Sequence, residues 1–281
     1  MIKGGYLLVT PAKNEEKFLP RVIDAVVNQT IIPNLWVIVD DGSTDETPQI
    51  IKEAQMKYEW IKSIRLPEHP RDITFHYSYV CREGFKYVLN YAKVHHIPFE
   101  FVALLDADTV PEKRYFEKII GEFEKDHRLG IASGSIYVKK RGKWRREINL
   151  TTYPRGTGRV WRKKCFFDTG GYRLVPSPDS VSNSIALNKR WRIKEFKHVK
   201  AFQLRETSSA EGIVRGYIKN GEMAWCLRKP LWKIIANTIW YSTAVHPLSG
   251  ISYLYGFIQS IQNTMRCNKT LKPYQSHLRG E

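Results

Sequence analysis

The stretch Phe99-Glu-Phe-Val-Ala-Leu-Leu105 is an apolar run that stops abruptly at two carboxylates one residue apart, Asp106 and Asp108. A strand buried in a sheet reads as such a run, and ligands of α/β folds gather where it ends. On an extended chain, side chains at i and i+2 point the same way. Asp106 and Asp108 could then hold a hard divalent cation together, with phosphate oxygens completing its shell. Asp-x-Asp is also common in solvated turns and helix caps, so the surrounding chain has to decide.

That chain alternates. Tyr6-Leu-Leu-Val-Thr10 reads as a strand, broken by Pro11-Ala-Lys-Asn14 before a helix starting near Glu15, with Leu19, Val22, Ile23 and Val26 on one face. Leu35-Trp-Val-Ile-Val39 is a second strand, closing on Asp40-Asp-Gly-Ser-Thr-Asp45. Ser43 and Glu46 have capping-box spacing, and Ile50, Ile51, Ala54 and Tyr58 give the next helix its apolar face. A third strand is expected over Ile61 to Arg65. Strand, helix, strand, helix, strand predicts a parallel sheet with crossover helices.

Further along, Arg82 to Ala92 reads as a helix. Pro111 marks another helix start, with Phe116, Ile119, Ile120 and Phe123 turned to the core. Gly130 to Val138 reads as a strand whose internal glycine marks a bulge or a close approach. Lys139 to Arg146 reads as a basic turn or edge hairpin, Arg159 to Arg162 as a short strand, and Thr169-Gly-Gly-Tyr172 as a tight turn.

The 281 residues carry a formal charge of +17, a balance that favours anionic partners. The excess lies in the second half: Lys139 to Arg173 holds twelve Lys/Arg against two Asp/Glu. Cys81, Cys165, Cys226 and Cys267 have no zinc-like spacing and read as reduced thiols. No export signal opens the sequence, which points to the cytoplasm.

Three loops at strand ends thus carry polar signals: Thr10 to Glu15, Asp40 to Asp45, and Asp106 to Asp108. In their order and residues they resemble the family 2 glycosyltransferases, inverting sugar-nucleotide enzymes of the GT-A fold. The resemblance is specific over residues 5 to 112. It implies an α/β fold: a Rossmann-like, mostly parallel sheet flanked by helices. By position, it implies that Pro11, Asn14 and Glu15 lie in the first nucleotide loop and that Asp40 and Asp41 contact base and ribose. It also implies that Asp106 and Asp108 hold Mn²⁺ or Mg²⁺ on the diphosphate of a nucleoside-diphosphate sugar. Arg82 is a candidate for added charge at the phosphates, or a plain surface arginine.

In the second half, Gly158 to Tyr172 resembles the stretch leading into the family's Gly-Gly-Tyr. Asp179 lies where the family places its catalytic acid, although many members have Glu-Asp and this chain has one acid after Pro178. A carboxylate suits the removal of an acceptor hydroxyl's proton, while helix capping is the plainer reading. Where related enzymes often carry a histidine near the metal, this chain has Gln203, whose amide oxygen is a candidate third ligand.

From Ile234 to Met265 no Lys, Arg, Asp or Glu occurs. Polar residues interrupt the stretch too often for a spanning helix, so two amphipathic helices broken at His246-Pro247 are expected, the second with Ile251, Leu254, Ile258 and Ile261 on one side. Trp232, Trp240, Tyr241, Tyr253 and Tyr255, flanked by Lys229, Lys233 and Arg266, are residue types of a lipid headgroup boundary; packing on the domain is the alternative. The expected organisation is 1–110 as the donor half, 111–228 as the acceptor half, and 229–281 as helices in peripheral contact with an anionic membrane on its cytosolic face. The acceptor is expected to be lipid-linked or a glycan, and no nucleic acid is expected. The readings set against this are a nucleic-acid binder using the basic Lys139 to Arg173 patch, a nucleotidyltransferase, and an inactive relative.

Overall fold

The computed structural model describes residues 5–68, 75–140, 142–147, 152–175, 177–205, 213–226 and 229–262. The chain forms two compact units, one of Met1–Arg71, Tyr79–Arg173 and Pro178–Leu204, the other of Asp72–Ser78, Leu174–Ser177 and Arg205–Glu281.

The first unit is built on one sheet. Its amino-terminal part runs β1 (Tyr6–Ala12), α1 (Leu19–Val27), β2 (Leu35–Asp40), α2 (Thr47–Lys57), β3 (Ile61–Arg65), α3 (Phe75–Val94, of which Tyr79 onward belongs to this unit) and β4 (Phe101–Leu104). The pairs β3–β2, β2–β1 and β1–β4 are all parallel, as strand–helix alternation predicts. Leu7, Val9, Val37, Val39, Val102 and Leu104 have no exposed surface, because helices cover both faces.

The remaining strands are β5 (Thr109–Pro111), β6 (Leu129–Lys140), β7 (Lys143–Arg146), β8 (Arg159–Arg162) and β9 (Arg192–Gln203). They extend the sheet in the order β4-β8-β6-β9-β5, with β7 paired to β6, and here the pairing is mixed. Between them lie α4 (Tyr115–Lys125), α5 (Lys163–Asp168) and α6 (Pro178–Asn188). Phe116, Ile119, Ile120 and Phe123 of α4 are fully buried, each worth about 1.5–3 kcal/mol of apolar transfer. Gly134 falls at a register shift between β6 and β9; a Cβ there would lie 2.6 Å from the Val199 carbonyl oxygen.

Three local expectations are corrected. The first helix begins at Leu19, not near Glu15, because Glu15 is buried and its backbone N–H is taken by the Thr47 hydroxyl. The Ser43–Glu46 capping box does not form. Ser43 Oγ accepts from the Asn14 N–H instead, and α2 starts at Thr47 without a side-chain cap. Pro111 ends edge strand β5 rather than opening a helix, a position where its missing N–H removes no interior ladder bond.

The second unit contains α7 (Ile213–Cys226), α8 (Leu231–Ala244) and α9 (Pro247–Gln262). The helices α8 and α9 are separated by Val245 and His246, one residue ahead of the expected break at His246-Pro247, and Pro247 opens α9. Tyr217, Ala224, Ile234, Tyr253 and Phe257 form their common core. The stripe Ile251, Leu254, Ile258 and Ile261 is exposed, as are Leu231, Trp232, Ile235 and Ile239 of α8.

Candidate active site

The site is assembled at the carboxyl edge of the parallel strands. There β2 and β1 end side by side, with Ala12 paired to Asp40, and Leu105 follows β4 with its N–H on the Val9 carbonyl. The first two loops are joined by hydrogen bonds. Asn14 takes a left-handed conformation (φ 52°), donates its N–H to Ser43 Oγ at 3.0 Å and accepts the Thr44 N–H through Oδ1 at 2.8 Å. Pro11 is half-buried at the end of β1.

Asp40 and Asp41 are both buried, and each meets a cation. Asp40 Oδ1 accepts the Ser43 N–H, while Oδ2 lies 2.9 Å from Arg65. Lys13 donates to the Asp41 carbonyl at 2.7 Å and lies 3.6 Å from its carboxylate. These pairings make the two loops one surface. Arg82 is carried separately, half-buried in α3.

Asp106 and Asp108 do not lie on an extended chain as their spacing suggests. They flank a tight turn closed by the Thr109 N–H on the Asp106 carbonyl, with Ala107 buried between them. The Asp106 N–H donates to Thr157 Oγ1 at 2.9 Å. Asp108 is 8% exposed, its Oδ1 accepts from the Thr109 hydroxyl at 3.3 Å, and its carbonyl accepts the Leu204 N–H at 2.8 Å. The same β5–β9 pairing sets Gln203 opposite Thr109, beside Asp108.

Asp179 stands in the first turn of α6, half-buried, with its Oδ1 closed off from solvent. A Cβ on Gly156 would lie 2.6 Å from Asp179 Oδ2, so the backbone of this loop passes close to the carboxylate. The next residue is Thr157, which binds Asp106. Two consecutive residues therefore link the candidate base to the candidate metal pair. Burial pushes the Asp179 carboxyl above the usual carboxylate range, an effect that the neighbouring Arg159 offsets in part. The buried Tyr172 phenol is likewise raised, first by burial and then by neighbours that include Cys81, Asp179 and Asp106.

Sequence reasoning missed Thr157 and Arg159. Arg159 is fully buried at the start of β8. It donates to the carbonyls of Pro154, Arg155 and Asp179 at 3.3 Å each and to Asn183 Oδ1. The signal available in the sequence was Gly156-Thr-Gly158, a hydroxyl between two glycines. Gly158 has φ +63°, and Tyr115 Oη donates to its carbonyl at 2.6 Å.

Among the described residues, no three His, Cys, Asp or Glu side chains are gathered as a metal site. The candidate donors are instead two carboxylates on one turn, one of them buried, with Gln203 paired opposite the next residue, Thr109. That set fits a hard cation which takes its remaining ligands from diphosphate oxygens.

The candidate site lies at the carboxyl ends of the strands of an open α/β sheet, where ligands of such sheets gather. The sequence profile of Glycosyl transferase family 2 matches residues 7–178, and the chain belongs to that family, which makes it a glycosyltransferase by class. Among solved structures, the mannosyltransferase PcManGT from Pyrobaculum calidifontis, in complex with GDP-Man and Mn²⁺, is 16% identical. The match has a TM-score of 0.57 over 97% of this chain and 80% of that one. The 1–349 fragment of S. aureus TarS with UDP-GlcNAc is 14% identical, with a TM-score of 0.54 over 92% of each chain. Against the longer TarS structure the TM-score is 0.53 at 15% identity, and the match covers 79% of this chain but 42% of that one. At these identities the likeness is one of fold.

Proposed function

We propose that the protein is a metal-dependent, inverting glycosyltransferase that moves a sugar from a nucleoside-diphosphate donor to an acceptor hydroxyl. The observation that carries this reading is the Gly156-Thr157 link, with Gly156 against Asp179 and Thr157 bonded to the Asp106 N–H. It supports a division of labour between carboxylates at one sheet edge.

In this reading Pro11, Asn14, Glu15, Asp40 and Asp41 form the nucleotide surface, and Arg82 adds charge toward the phosphates. Asp106 and Asp108, with Gln203 as third ligand, would hold Mn²⁺ or Mg²⁺, which when bound would supply positive charge against that growing on the diphosphate. Asp179 takes the proton of the acceptor hydroxyl. The oxygen attacks the anomeric carbon on the face opposite the diphosphate, and the breaking C–O bond leaves its electron pair on the departing nucleoside diphosphate. A base with a raised pKa suits this step at neutral pH. The GDP-Man, Mn²⁺ and UDP-GlcNAc of the similar structures support the donor class and the metal.

The acceptor in this reading is lipid-linked or a glycan, met at the cytosolic face of a membrane. Among the described residues no helix is long and apolar enough to cross one. The exposed Trp232, Ile235, Ile239, Ile251 and Ile258, with no acid nearby in sequence, support peripheral contact.

The experiment is a thermal-shift panel of UDP-, GDP- and dTDP-sugars with and without Mn²⁺. The expected result is a rise in melting point with one donor class that requires the metal. Absence of any nucleotide-sugar effect, at concentrations that saturate such enzymes, removes the reading.

A further inference from the structure

The basic segment Lys139 to Arg146, whose sequence predicts a turn or edge hairpin, has a defined place on the sheet. Its strand β7 pairs with the end of β6, and the register forms one row across four strands: Thr109 opposite Gln203, Gln203 opposite Val138, and Val138 opposite Arg145. Side chains along such a row share one face of the sheet. Two strand spacings separate Arg145 from Gln203, about 10 Å. On the same face, two residues further along each strand, Lys140 is paired with Lys143. Trp144 packs against Phe202 with ring centroids 5.1 Å apart, so the hairpin is fastened to the residue before Gln203.

Lys140, Lys143 and Arg145 are exposed. Among the described residues none of the three has a carboxylate within ion-pair distance, and Glu147, the acid next in sequence, is paired with Arg155. One lysine is enough to keep an edge strand from pairing with another chain. Three like charges on the face that also carries Gln203 repel one another, and an anionic ligand relieves that repulsion. Lys143 and Arg145 stand about 7 Å apart along the strand, a spacing suited to a ligand with more than one charge.

We infer that this hairpin is the acceptor dock and that the acceptor is a phosphate-bearing polymer, its phosphates lying on Lys140, Lys143 and Arg145 while its hydroxyl reaches the carboxylate edge. The inference rests on the glycosyl-transfer reading of that edge and narrows its acceptor from any glycan to a polyanionic one.

The test uses the full chain and the triple variant Lys140→Gln, Lys143→Gln, Arg145→Gln. The probes are inorganic polyphosphate, neutral dextran, and vesicles of phosphatidylcholine with or without phosphatidylglycerol. The expected result is salt-sensitive binding of polyphosphate but not dextran by the parent protein, weakened about tenfold or more in the variant. Nucleotide-sugar binding, read on both proteins, should be the same; if neither binds any donor, the glycosyl-transfer reading fails on its own account. Equal polyphosphate binding by parent and variant overturns the inference. A loss confined to phosphatidylglycerol vesicles also overturns it, assigning the hairpin to the membrane.

Discussion

The guanidinium of Arg159 lies 3.9 Å from the carboxylate of Asp179, and Arg159 itself has no exposed surface. A buried cation held by three carbonyls and an amide is fixed in place, so it fixes the first turn of α6 relative to the loop of Gly156 and Thr157. It also opposes the burial that raises the Asp179 pKa.

The acid limb of the kcat/KM profile should therefore lie above the ordinary aspartate range, since transfer needs the unprotonated carboxylate. Removing the cation lifts the carboxylate pKa further. Arg159→Gln should move the limb to higher pH, and Arg159→Lys should restore it in part. A pH–rate profile of the three proteins checks this; a limb unmoved in Arg159→Gln separates Asp179 from catalysis.

Thr157→Val keeps the shape of the side chain and removes the acceptor of the Asp106 N–H. An unpaired buried donor costs about 1–3 kcal/mol. The expected outcome is weaker Mn²⁺ affinity with little change in nucleotide affinity without metal, and rescue by Thr157→Ser. Calorimetric titration with Mn²⁺ in the presence of donor measures both.

Much of this arrangement was legible in the sequence. Strand–helix alternation up to Leu105 is a local pattern, and runs such as Leu35 to Val39 read as buried strands because they are short, rich in β-branched and aromatic residues and bounded by turn residues. The three loops were legible because a strand's end is visible where apolar residues stop. The first helix start was not, because Glu15 is held by Thr47, thirty-two residues away, and no local pattern reports that bond. Arg159 was invisible for the same reason. In the sequence it is one of twelve cations in a basic stretch, and only the fold shows that it is buried beside Asp179. The spacing of Ile251, Leu254, Ile258 and Ile261 predicts a helix face, but periodicity does not tell an inward face from an outward one.

Tyr115 Oη donates to the Gly158 carbonyl at 2.6 Å and accepts the Gly134 N–H at 2.7 Å, all within the core. Tyr115→Phe takes a hydrogen-bond partner from both backbone groups. It should cost about 1–3 kcal/mol in denaturant unfolding and lower transfer by loosening the loop that carries Thr157. Unchanged stability would mean that the tyrosine does not brace the loop.

Exposed apolar side chains contribute little to folding. Ile235→Ser, Ile239→Ser and Ile258→Ser together should leave the melting point within a few degrees while reducing co-sedimentation with phosphatidylglycerol vesicles severalfold. A large fall in melting point would show that these residues are covered by protein instead.

The most direct measurement compares Asp108→Asn and Asp179→Asn with the parent in two assays, Mn²⁺-dependent binding of the donor and transfer to an acceptor. The account predicts that Asp108→Asn loses the metal-dependent part of binding, whereas Asp179→Asn keeps it in full and loses transfer by a hundredfold or more, at the lower end of what a general base contributes, about 10²–10⁴-fold. Metal-dependent binding that survives in Asp108→Asn, or transfer that survives in Asp179→Asn, would contradict it.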